Sequence, residues 1–116
     1  MTVLNVDDST TMRKIVTLAL QSKGHAVNEA NNGQEALDYI AREGDPDLIV
    51  LDINMPVMTG MEFLDSYDGN SSIIVLTTQY QDDVRRQALL KGATAFLTKP
   101  FQKDDLLSVM SEIGLE

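Results

Sequence analysis

Short apolar runs alternate along the chain with stretches whose apolar residues recur at helical spacing, the pattern of βα units that build a parallel sheet. Five runs have strand character: Thr2–Val6, His25–Ala30, Leu48–Leu51, Ile73–Leu76 and Thr94–Thr98. Val3-Leu4-Asn5-Val6, Leu48-Ile49-Val50-Leu51 and Ile73-Ile74-Val75-Leu76 are nearly unbroken in apolar residues, as strands covered by helices on both faces are. His25–Ala30 is more polar and has the character of an edge strand.

Between the strands, Met12, Ile15, Val16, Ala19 and Leu20 fall on one helical stripe, with Ser9 or Thr10 as cap and Gly24 as stop. A second helix is predicted over Gln34–Glu43, with Ala36, Leu37, Ile40 and Ala41 inward and Gly44 beyond its end. A third, around Gly60–Tyr67, carries Met61 and Leu64, and a fourth over Gln81–Lys91 stops at Gly92. The fifth turns Leu106, Leu107, Met110 and Ile113 inward and has Asp104 and Asp105 in its first turn, where the helix dipole favours negative charge. Five such units predict an α/β fold with a doubly wound parallel sheet.

At 116 residues the chain is expected to form one domain, 1–116. Hydrophobic residues at 43% and charged residues at 23% are enough for a packed core. With 18 acidic against 9 basic residues the formal charge is −9, which disfavours nucleic acid as a partner. The absence of cysteine removes disulfides, thiol nucleophiles and Cys-type zinc sites. Neither a signal peptide nor a run of membrane-span length is visible, so a cytoplasmic protein without membrane contact is expected.

In doubly wound sheets, ligands bind outside the carboxyl ends of the strands. Polar residues collect there: Asp7 and Asp8 after the first strand, Asp52 after the third, Thr77 and Thr78 after the fourth, and Lys99 after the fifth. The second strand ends in Ala30-Asn31-Asn32 and adds no comparable charge. Carboxylates about 5 Å apart repel by about 3 kcal/mol at an effective dielectric of about 20, so three in one crevice call for a cation. Hard oxygen ligands suit Mg²⁺, which readily shares its shell with phosphate oxygens. Lys99 offers a point charge for phosphate and the Thr77 hydroxyl a donor. No Gly-rich nucleotide loop is present. A phosphoryl group held without a nucleotide suggests an aspartyl phosphate, with Asp52 the candidate nucleophile.

Each residue also has an ordinary structural use. Asp52 could be a solvated strand-end carboxylate, Asp7 and Asp8 could cap the first helix, and Lys99 could be a surface lysine. Thr77 could serve the strand and Phe96 the core. His25 is expected to be a structural or surface residue, since no second His, Cys or nearby acid makes it a ligand. The six methionines are core filler, with Met55, Met58 and Met61 available for an adaptable contact surface.

Four motifs in order then resemble the receiver domains of two-component response regulators, of the single-domain chemotaxis (CheY-like) type. They are Val6-Asp7-Asp8-Ser9, Leu51-Asp52-Ile53-Asn54-Met55-Pro56 followed by Gly60, Leu76-Thr77-Thr78-Gln79, and Lys99-Pro100-Phe101. The resemblance covers the whole chain and implies a flavodoxin-like sheet of order 2-1-3-4-5 with five helices. It implies that Asp52 accepts a phosphoryl group from a phosphohistidine of a sensor histidine kinase. By the same resemblance Asp7, Asp8, Asp52 and the backbone carbonyl of Asn54 hold Mg²⁺, and Thr77 and Lys99 bind phosphoryl oxygens. Thr77 and Phe96 form the switch, Gln79 lies where the family tunes phosphoryl lifetime, and the Lys99–Pro100 bond is cis.

The implied partners are the kinase, the flagellar motor switch protein and a phosphatase, with the chain a monomer. The signal is expected to change the face made by the fourth helix, fifth strand and fifth helix, and to leave through a partner's surface. Thr78, where the family carries a smaller residue, and a short Asp52–Thr77 segment depart from the pattern. A phosphorelay intermediate would use the same pocket. A Mg²⁺-dependent phosphohydrolase commonly needs an acid two residues after the nucleophile, where Asn54 stands. A flavin electron carrier would need aromatics that a chain with 5% aromatic residues and no Trp lacks.

Overall fold

In the computed structural model, which describes residues 1–55, 57–78 and 82–115, strands and helices alternate. The order is β1 (Thr2–Val6), α1 (Thr10–Gln21), β2 (Ala26–Ala30), α2 (Gly33–Glu43), β3 (Leu48–Asp52), α3 (Gly60–Ser66), β4 (Ser72–Thr77), α4 (Asp82–Leu90), β5 (Ala95–Thr98) and α5 (Lys103–Glu112). All strand pairs are parallel and the sheet order is β2-β1-β3-β4-β5. This is the doubly wound, flavodoxin-like arrangement with five helices.

Successive residues of a strand point to opposite faces, so each central strand feeds two cores. Leu4, Val6, Ile49, Leu51, Ile73 and Val75 join Ala36 of α2, Phe63 and Leu64 of α3 and Ala88 of α4 on one face. Val3, Leu48, Val50, Ile74 and Leu76 join Val16 and Leu20 of α1 and Leu106 and Met110 of α5 on the other. The helices therefore divide into α2, α3 and α4 on one side and α1 and α5 on the other. No helix among the described residues is long and apolar enough to cross a membrane.

The elements begin and end where local chemistry allows. Ser9, rather than Thr10, caps α1 and accepts from the Met12 N–H at 3.2 Å. Gly44 closes α2 at φ 87°, a conformation that costs a residue without a Cβ little. Thr59 and Glu62 form a reciprocal capping box on α3. The short connection after α3 is tied down by Tyr67, which stacks on Phe63 with centroids 5.5 Å apart. Its hydroxyl donates to Asp45 Oδ1 at 2.9 Å and accepts from the Ser71 N–H at 2.9 Å.

Two inward expectations fail. Ile15 is 47% exposed, and Ala41 is exposed as well. At about 100° of rotation per residue both lie at the rim of their stripes, beyond the arc that Val16–Leu20 and Ala36–Ile40 turn to the sheet. Smaller shifts occur at element ends. Ala26 rather than His25 opens β2, Ala95 rather than Thr94 opens β5, Asp52 belongs to β3, and Gln81 lies outside the described residues.

His25 is structural in its placement: it is buried, with Nδ1 3.3 Å from the Met1 amine. Burial foremost, and then the charge of that amine, lowers its pKa below the ordinary 6.5. Between the folded pKa and 6.5 the unfolded chain binds more protons than the folded one. The stability that neutral His25 contributes is complete above 6.5 and is lost as pH falls through that window. Urea unfolding at about pH 7.5 and about pH 5 is expected to show a smaller acid loss for His25→Gln than for the wild type. Equal losses would show that the imidazole titrates as it does in water.

Candidate functional site

Parallel pairing brings the carboxyl ends of β1, β3, β4 and β5 to one rim. The ladders end at Val6↔Leu51, Asp52↔Leu76 and Thr77↔Thr98, so the turns beyond these strands open into one crevice. Asp52 stands centrally, between the Asp7 turn beyond β1 and Thr77 at the tip of β4. The second strand lies on the far side of β1, in keeping with its uncharged end.

Asp7, Asp52 and Thr77 are buried, whereas Asp8 is exposed. Asp7, Asp8 and Asp52 each offer a carboxylate oxygen, and the three atoms lie within 4.8 Å of one another. Lys99 reaches in from the end of β5, with Nζ 3.3 Å from Asp7 Oδ2 and 3.2 Å from Asp52 Oδ1. Its side chain is 14% exposed, and its backbone N–H donates to the Thr77 carbonyl at 2.6 Å. The Lys99–Pro100 bond is cis, as the resemblance implied.

Asp7 combines a structural and a site role. Its Oδ1 accepts from the Ser9 N–H at 2.9 Å, shaping the entry to α1, while its Oδ2 faces Lys99. Burial foremost, and then the charge of Asp7, raises the pKa of Asp52; Lys99 and a hydrogen bond from the Asn54 N–H oppose this without cancelling it. The result is a buried carboxylate more basic than usual, beside the Lys99 ammonium.

The donor set fits Mg²⁺. Carboxylate oxygens are hard ligands, one lysine leaves three acidic side chains under-compensated, and the exposed Asp8 gives an ion a path in. Asn54 is exposed in the loop after Asp52. Phe96 is half-buried on β5, paired with Val75 and packed against the core on the α2, α3 and α4 side. Thr78 is exposed just past β4, and Gln79 and Pro56 lie outside the described residues.

One member of this neighbourhood closes the chemotaxis-like run Asp8-Ser9-Thr10-Thr11-Met12-Arg13, but the run gives it no site role. Arg13, on the first turns of α1, donates from Nη1 to the Asp7 carbonyl at 2.8 Å and from Nε to Glu29 at 3.2 Å. Its partners come from β2 and from the turn beyond β1, so spacing along α1 could not reveal it.

Comparison with known proteins agrees with this architecture. The family model of the response regulator receiver domain matches residues 3–111. The chemotaxis protein CheY of Halobacterium salinarum is 36% identical over 114 residues, covering 96% of this chain and 94% of that protein. The response regulator MprA of Mycobacterium leprae is 38% identical over 111 residues, covering 93% of this chain but 48% of that regulator. Among solved structures, chemotaxis response regulator CheY4 of Vibrio cholerae superposes with a TM-score of 0.88 at 37% identity, covering 97% of each chain. Sheet order, crevice and relatives agree, and the chain belongs to the family of response regulator receiver domains, phosphoacceptor modules of two-component signalling.

Proposed function

We propose that residues 1–116 act as one receiver domain in which Asp52 is the phosphoacceptor. The observation that carries this reading is the meeting of buried Asp52 with Asp7, Asp8 and Lys99 at the rim of the sheet. In the transfer, an Asp52 carboxylate oxygen forms a bond to phosphorus as the phosphorus–nitrogen bond to the kinase histidine breaks, and the imidazole keeps the electron pair. Lys99, now shared between two carboxylates, turns to a phosphoryl oxygen, and the Thr77 hydroxyl donates to another. Asp7, Asp8 and Asp52, with the Asn54 carbonyl, would hold Mg²⁺, and the bound ion would offset charge on the phosphoryl oxygens.

Thr77 and Phe96 carry the change to the face of α4, β5 and α5. Val75, the cross-strand partner of Phe96, stands two residues before Thr77, so one strand links the pocket to the aromatic ring. The output reading is chemotaxis, with the flagellar motor switch protein as partner and a phosphatase resetting the state. Near-complete coverage of the CheY of Halobacterium salinarum and the CheY4 of Vibrio cholerae supports it.

Beryllofluoride with Mg²⁺ tests the switch. Amide signals of Thr77, Phe96 and Lys99 are expected to shift in the wild type and to stay in place in Asp52→Asn, and the wild type is expected to bind the motor switch protein more tightly in the beryllofluoride state. Equal binding in both states overturns the motor reading, and turnover of unrelated phosphomonoesters overturns the signalling reading in favour of an enzyme.

A further inference from the structure

We propose that Arg13 is a positioning residue for the acidic pocket, holding the peptide unit that joins Asp7 to Asp8. The inference rests on the reading of those acids as a Mg²⁺ site.

Asp7 stands one residue past the β1 ladder, where its carbonyl has no cross-strand partner. Its other polar groups are secured: the N–H donates to the Ala30 carbonyl at 3.1 Å, Oδ1 accepts from Ser9, and Oδ2 faces Lys99. The carbonyl is taken by Arg13 Nη1 at 2.8 Å. A peptide unit is planar, so the bond that fixes the Asp7 carbonyl also fixes the amide of Asp8. One guanidinium contact thus orients the backbone on which both acids are carried.

The guanidinium is itself built in. It is anchored by Asn31 Oδ1 at 2.6 Å from Nη1 and Glu29 Oε1 at 3.2 Å from Nε, and its side chain is 15% exposed. Glu29 is steadied in turn by the Thr17 hydroxyl at 2.6 Å, a contact that with Arg13 lowers its pKa. Buried Asn5 closes the ring from beneath, donating to the Arg13 carbonyl at 3.0 Å and to Thr17 Oγ1 at 3.1 Å. A planar fork reaching three acceptors is a task for arginine that a lysine ammonium cannot reproduce.

Charge and position predict opposite signs. If Arg13 acted through its charge alone, Arg13→Gln would remove a cation near the pocket and tighten Mg²⁺ binding. If it positions the Asp7–Asp8 peptide, the same substitution weakens binding, by about tenfold on the scale seen when residues that orient metal ligands are removed.

Mg²⁺ titration calorimetry on the folded full chain decides between them. Four variants serve: Arg13→Gln, Arg13→Lys, Tyr67→Phe and Asp7→Asn. Tyr67→Phe loosens the connection after α3, where the hydroxyl bonds Asp45 and Ser71, and leaves the Arg13 network intact. Expected are about tenfold weaker binding for Arg13→Gln, partial recovery for Arg13→Lys, and binding within about twofold of wild type for Tyr67→Phe. Unchanged or tighter binding by Arg13→Gln overturns the proposal, as does equal weakening by Tyr67→Phe, which would mark general loosening. If the wild type and Asp7→Asn bind Mg²⁺ alike, the pocket reading itself falls, and the proposal with it.

Discussion

Acetyl phosphate with Mg²⁺ is expected to add one phosphoryl group to the wild-type chain and none to Asp52→Asn, measured by intact mass. The difference runs from near-stoichiometric labelling to none, because the amide nitrogen and oxygen of Asn lack the anionic electron pair that attacks phosphorus. Burial and the facing Asp7 make Asp52 more basic than an ordinary carboxylate, which suits a nucleophile held beside Lys99. Asp7 and Asp8 remain in the variant, so an acid-labile adduct that survives the substitution would place the acceptor elsewhere. The same substitution is expected to stabilise the fold by about 1–2 kcal/mol in metal-free neutral buffer. It removes a buried charge whose repulsion from Asp7 the single lysine offsets only in part. A wild type at least as stable as the variant under those conditions would mean that Lys99 balances the pocket by itself.

Gly60→Ala is expected to destabilise the protein by about 3 kcal/mol and to impair phosphorylation along with it. A Cβ at this position would lie 2.6 Å from the Asp52 carbonyl oxygen and 2.6 Å from Ile53 Cα, both main-chain atoms of the site. Nothing flexible can yield there, unlike Gly33, where the nearest atoms belong to the Met58 side chain. Gly60 also opens α3 and donates its N–H to the Ile53 carbonyl at 2.8 Å, so helix and strand end press directly on one another. Urea denaturation and the acetyl phosphate assay should therefore move together. A stable variant with slow labelling would show that the strand end shifts without cost to the fold, and a stable, fully labelled one would refute the close packing.

The residues that were legible in the sequence are those whose role is local or repeats along an element. Val3–Val6, Leu48–Leu51 and Ile73–Leu76 announce central strands because burial on both faces leaves no room for alternation. Asp7, Asp52, Thr77 and Lys99 stand out because a core would not place them immediately beyond such runs. Ile15 and Ala41 mislead because an apolar residue at the rim of a stripe is assigned by tertiary packing, which periodicity does not contain. Arg13 closes a run of family character, Asp8–Arg13, yet its role is illegible for a different reason. Its meaning lies in Asp7, Glu29 and Asn31, brought to it by two strands it does not belong to. Val57 is similar: nothing in its surroundings in the sequence announces a φ of 68° at an exposed β-branched residue in the loop beyond Asp52.

Among the described residues, the two cores on either side of the sheet share no side chain. Changes under α1 and α5 should accordingly add to changes under α2, α3 and α4 with little coupling, as they do for separated sites. Each face is then free to drift in sequence on its own. The face of α4, β5 and α5 is where the two sides meet, so a new partner there draws on changes in each while the rim that both support keeps its old fit.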